Sequence, residues 1–157
     1  MAIASAAMSW YRFWLLVHLA GVVVFVAGHG VSAAVTLRVP RERDPARLEV
    51  LLSLSRSTIA WSNLGLLVLV VGGVANWVRG GYAPQGWLWA SVAILFALAV
   101  VGVALAAPFF RRIRSALATS DEKRLRDALA APLPRVIFWV ETAGLAAILW
   151  LMVYKPF

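Results

Sequence analysis

Residues 14–36 read WLLVHLAGVVVFVAGHGVSAAVT, an apolar stretch that carries both histidines of the chain. Plotted at about 100° per residue, Trp14, His18, Gly21, Phe25, His29, Ser32 and Thr36 fall within roughly 40–60° of one line. Leu16, Leu19, Val23, Ala27 and Val31 occupy the opposite side. One face gathers imidazoles, hydroxyls and glycine while the other is wholly apolar or small. That is the pattern of a helix with lipid on one side and protein on the other.

The rest of the chain agrees with this reading. Across 157 residues, 62% are hydrophobic, 14% are charged and 8 are tryptophan; the mean hydropathy is +0.84. Such a chain has too little polar sequence to cover a water-soluble core. The formal net charge of +8 comes from arginines placed between apolar stretches, where basic residues set orientation and meet anionic headgroups. Nucleic acid is therefore not an expected partner. Cysteine is absent, which excludes disulfides, iron–sulfur clusters and thiolate metal sites.

Four spans are expected, at about 11–37, 57–78, 87–110 and 136–154, forming a single integral membrane domain over 1–157. Each has the length needed for about 30 Å of hydrocarbon at 1.5 Å per residue. The first is too long for the core of a secretory signal and is expected to be retained, with cleavage near Ala33 and Ala34 as the alternative. Asp44 and Pro45 mark a helix start ahead of the second span, so that helix begins outside the bilayer. RGGYAPQG, residues 79–86, reads as a tight hairpin loop. Between the third and fourth spans, Thr119 and Glu122 have capping-box spacing, and Leu125, Ala128 and Leu129 share one face of a short surface helix. Five Lys or Arg lie in the first loop and seven in the third, against three elsewhere. By the positive-inside rule these two loops face the cytoplasm and both termini face out. The expected fold is all-α, a four-helix transmembrane bundle.

Depth separates the polar residues. His29 lies roughly 12 Å inside its span, and Asn63 and Glu141 roughly 9 Å inside theirs, all from the basic side, at 1.5 Å per residue. His18 lies about 10 Å from the other face, in a layer with Trp77, Trp87, Trp89 and Trp150. Ionisable groups inside a span are costly and mark sites. His29 and Glu141 are therefore the candidate catalytic pair, handling protons or facing a quinone. Asn63 is expected to hydrogen-bond between helices. The tryptophans suit an interfacial belt and the glycines close packing.

The histidines are 11 positions apart, about 16 Å along a helix, and cannot share a metal ion whose ligand nitrogens lie near 2.1 Å from it. Haem suits a lone imidazole better, since iron can take its second axial ligand from elsewhere. His18 is the candidate metal ligand, with the sixth position open, filled by Met152, or supplied by another subunit.

His18 followed after nine residues by Gly28, a basic first loop leading into a long second helix, four spans in about 150 residues, and the ending VYKPF together resemble HemJ-type membrane proteins. The His-containing first helix is also similar to that of the CopD copper-resistance family. The HemJ resemblance implies b-type haem at His18, a porphyrin ligand and oxidoreductase chemistry. The lysine that the HemJ pattern places early in the third helix is Ser91 here, in GWLWASVAIL, which implies an uncharacterised relative rather than HemJ itself. The expected function is a small redox-associated membrane protein that binds haem b. The alternatives are a non-catalytic assembly subunit of a larger membrane complex or homo-oligomer, and a small transporter of the CopD type.

Overall fold

A computed structural model describes residues 2–80 and 85–156. It is all-helical, with no strand among the described residues. The helices are α1 (Ala2–Arg38), α2 (Pro45–Gly80), α3 (Gly86–Val101), α4 (Ala107–Ala118), α5 (Glu122–Leu129) and α6 (Leu133–Tyr154). A 3-10 turn, Val39–Arg41, follows α1, and a π-helical segment, Gly102–Ala106, joins α3 to α4. Four helical stretches, Ser9–Arg41, Pro45–Val78, Gly86–Ala118 and Glu122–Tyr154, are long and apolar enough to cross a membrane. The expected spans fall within them. α1 starts well before the expected first span, and the central residues of the expected 79–86 hairpin lie outside the described residues.

The chain divides into two compact units. Among the described residues, the first joins residues 2–32 of α1 to residues 54–80 of α2. Here the helices run antiparallel and touch backbone to backbone. A Cβ placed on Gly21 would lie 2.3 Å from the Leu69 nitrogen, on Gly65 2.4 Å from that of Phe25, and on Gly72 2.6 Å from that of His18. On Gly28 it would lie 2.6 Å from the Ser62 hydroxyl oxygen. The paired layers are thus His18 with Gly72, Gly21 with Leu69, Phe25 with Gly65, and Gly28 with Ser62. Each layer holds one glycine, and the glycine alternates between helices. Steps of three and four residues along both helices are those of left-handed, coiled-coil-like packing. In lipid no hydrophobic force joins two helices, so small residues that allow close dispersion contact do it instead. Ser62 Oγ adds a long hydrogen bond of 3.5 Å to the Phe25 carbonyl. The far side of α1 is exposed as expected, with Leu16 66% and Val23 67% accessible.

The second unit contains residues 33–53 and 84–157. Its apolar core is Val35, Val39, Leu48, Leu52, Phe109, Phe110, Ile113 and Leu129, which packs the α1–α2 corner against α4 and α5. The corner has a local cause. Asp44 caps α2, its Oδ1 accepting the Ala46 amide at 3.0 Å, with Pro45 at the first helical position as expected. Glu42 Oε1 accepts the amides of Asp44 at 3.2 Å and Arg43 at 3.0 Å. Those two bonds hold its carboxyl below the ordinary glutamate range.

The α4–α5 turn differs from the expected capping box. Thr119 Oγ1 donates back to the Ser115 carbonyl at 3.0 Å, and Asp121 caps α5 instead, accepting the Arg124 amide at 3.0 Å. The end of α4 claims Thr119 first: the Asp121 amide donates to Ala116 and the Ser120 amide to Leu117, the paired bonds of a Schellman motif. This motif needs a left-handed residue at Ser120, whose φ is 51°. A non-glycine residue there costs about 1–2 kcal/mol. Ser120→Gly is expected to stabilise the turn by about 0.5–1 kcal/mol after glycine's own entropy cost, read as slower amide exchange at the end of α4. Faster exchange would contradict it. Leu125, Ala128 and Leu129 of α5 face the core as expected.

α3 and α6 also pair antiparallel. The Leu98 side chain fills the notch at Gly144, and the Lys155 ammonium lies 5.5 Å from the centre of the Trp87 ring. The same register sets buried Ser91 opposite buried Leu151.

Candidate functional site

His18 sits in the first unit where α2 presents two consecutive glycines. Its backbone meets Gly72, and its Nδ1 and Cε1 lie 3.1 and 3.3 Å from where a Cβ of Gly73 would be. Only with hydrogen at both positions does the imidazole lie against the α2 backbone. Nδ1 is 2.8 Å from the Leu69 carbonyl oxygen. A carbonyl can only accept, so the neutral ring carries its proton on Nδ1 and keeps the lone pair on Nε2. This is the tautomer in which metal-binding histidines are usually held, with the other nitrogen donating to a carbonyl or carboxylate. Nε2 is thus the nitrogen by which His18 would hold a metal or haem iron, were one bound.

His29 lies two turns from the Gly21 layer, half-buried, its ring stacked on Phe25 at 5.7 Å and 29°. The face that looked like a single line in the sequence separates accordingly: His18 is a seam residue, and His29 stands beside the seam. Asn63 is exposed and Ser62 is buried. The interhelical hydroxyl bond thus comes from Ser62, because the steps of three and four residues from Gly65 and Leu69 land on 62 rather than 63.

Glu141 and Met152 belong to the second unit and are half-buried. Glu141 lies on α6 one turn after buried Ile137 and three residues before Gly144, on the face that meets α3. The α3–α6 register sets it level with Val101 and Gly102, where the π-helical segment begins. Single π turns recur at functional positions, and here one occupies the span that is blandest in sequence. Ser91 Oγ donates to the Trp87 carbonyl at 2.8 Å, so the residue at the lysine position of the HemJ pattern is turned onto its own helix. No three His, Cys, Asp or Glu side chains come together to hold a metal ion among the described residues.

Sequence reading passed over Asn76. It continues the α2 seam one turn beyond Gly72, and its side-chain oxygen is buried with no hydrogen-bond partner. The only sequence signal was its spacing from Gly65, Leu69 and Gly72.

A family model described as "Predicted integral membrane protein (DUF2269)" matches residues 13–156. No curated protein and no solved structure matches the chain.

Proposed function

Because the chain belongs to the DUF2269 family of integral membrane proteins, whose spans α1, α2, α3 with α4, and α6 set the polar residues in lipid, we propose that it is a redox-associated protein that binds haem b through His18. The supporting observation is the hydrogen bond from Nδ1 to the Leu69 carbonyl, which orients the imidazole and leaves Nε2 as the free donor to iron. Bound haem would supply one-electron chemistry. His18 would hold it through Nε2, and a second subunit would be the source of any further ligand. His29, stacked on Phe25 in the first unit, and Glu141, in the second, would each take up or release protons, and a quinone or porphyrin would be the small-molecule partner. The basic stretches 38–56 and 111–135 would lie at the cytoplasmic face of a bacterial inner membrane, and the His18 layer would lie toward the outer face.

One observation favours a second reading. The same hydrogen bond ties α1 to α2 across a glycine seam, which is also what a non-catalytic assembly subunit needs. Absorption spectra of the purified protein separate the two. Haem binding predicts a Soret band that shifts on reduction and is lost in His18→Ala. A colourless protein leaves the assembly reading, and a band unchanged in His18→Ala removes His18 as the ligand. The hairpin itself is expected to lose only about 1 kcal/mol in that variant, the typical cost of one interhelical hydrogen bond.

A further inference from the structure

The α1–α2 pair contains an acceptor without a donor. Asn76 Oδ1 is buried and unpartnered, inside a stretch long and apolar enough to span the bilayer. Hydrocarbon offers such an atom nothing, and a polar side chain kept in that position marks a site.

Its surroundings define what fits. The seam register places Asn76 opposite Trp14, one layer from His18 and Gly72. Side chains lean toward the N-terminus of their own helix. In an antiparallel pair Asn76 therefore leans back toward Gly72 and Gly73 while His18 leans toward Trp14, and the two enter the same space. The Leu69 carbonyl there already receives the His18 Nδ1 proton, so the space is short of donors rather than acceptors. Aromatic surface flanks it: Trp14 stacks on Trp10 at 6.5 Å and 21° and meets Phe13 edge-on at 5.3 Å. A shallow hollow lined by Ser9, Trp10 and Phe13 lies on the same end of α1.

We propose that Asn76 Oδ1 accepts a hydroxyl of a lipid-soluble quinol whose ring packs against Trp14. A bilayer delivers apolar ring compounds to this depth, the tryptophans suit a flat ring, and the free acceptor needs an O–H. The oxidised quinone carries carbonyl acceptors in place of hydroxyls and cannot supply that bond. The Asn76 residue as a whole is half-buried. The site goes beyond haem binding, since the Asn76 oxygen lacks a donor whether or not His18 carries iron.

The test is a titration of the purified protein with decylubiquinol kept reduced and, separately, with decylubiquinone, followed by quenching of tryptophan fluorescence. Saturable quenching with an affinity for the quinol about tenfold above that for the quinone is expected, the factor of one hydrogen bond. Asn76→Leu is expected to abolish the preference. Because it also removes an unmatched buried acceptor, it is expected to raise the thermal midpoint, so that a folded variant reports the loss. Equal affinities, a preference that survives Asn76→Leu, or no saturable quenching overturns the proposal and leaves an internal water as the occupant. A quinol preference in a colourless protein overturns the haem reading alone; a Soret band without the preference overturns the quinol site alone.

Discussion

Gly21→Ala is expected to destabilise the α1–α2 pair by about 2–3 kcal/mol, the upper part of the range of about 1–3 kcal/mol for overpacking a tight contact. The new Cβ would lie 2.3, 2.7 and 2.9 Å from the Leu69 nitrogen, the Leu69 Cα and the Val68 carbonyl carbon. All three are backbone atoms, so no side chain can rotate away and the helices must separate. Separation also loosens the neighbouring layers, including the one in which His18 reaches the Leu69 carbonyl. Gly65→Ala and Gly72→Ala meet backbone in the same way and belong to the same class. Gly30 is the control, because a Cβ there meets nothing within 4 Å. Gly30→Ala is expected to be neutral or to stabilise by about 0.5–1 kcal/mol through reduced backbone freedom in the unfolded chain. Thermal midpoints of the variants in detergent make the comparison, and equal midpoints for Gly21→Ala and Gly30→Ala would dismiss the seam.

Ile113→Ala is expected to cost about 3 kcal/mol, within the range of Ile to Ala truncations in packed cores. Ile113 is fully buried among Val35, Val39, Leu48, Leu52, Phe109, Phe110 and Leu129. Arg111, Arg112 and Arg114 flank it in sequence, with Arg111 and Arg112 exposed, so this cluster sits at the polar end of its helix, where burial from water contributes about 0.8 kcal/mol per methylene. The first element to loosen should be α5, which has 8 residues and is too short to hold helical structure without its docking face. Proteolysis within 119–132 should accelerate along with the fall in thermal midpoint. Ile59→Ala, at a position 42% exposed, is expected to change neither measurably. Equal effects at the two positions would show that the cluster does not hold this end together.

The membrane character, the four spans and the start of α2 were legible because each follows from local composition: apolar length, basic loops, and an Asp-Pro pair at a helix start. The exposed face of α1 was legible too, since Leu16, Leu19, Val23, Ala27 and Val31 contact nothing that has to be known. The inner face was legible only in part. His18 and His29 look alike at 100° per residue. They separate once the partner helix imposes steps of three and four, which put His18 in line with Gly21, Phe25 and Gly28 and leave His29 outside it. Asn63 and Ser62 exchange roles for the same reason, and Asn76 gains significance only as the next residue along that line.

The sequence by itself determined that the chain is an all-helical membrane protein with its basic residues gathered in two loops, because the energetics of lipid act on each segment separately. The tertiary structure alone decided which glycines carry the α1–α2 contact, which nitrogen of His18 is free, and that the Asn76 oxygen lacks a donor. Each of these depends on the register between two helices, which backbone contact at Gly21, Gly65 and Gly72 sets and which no single segment encodes.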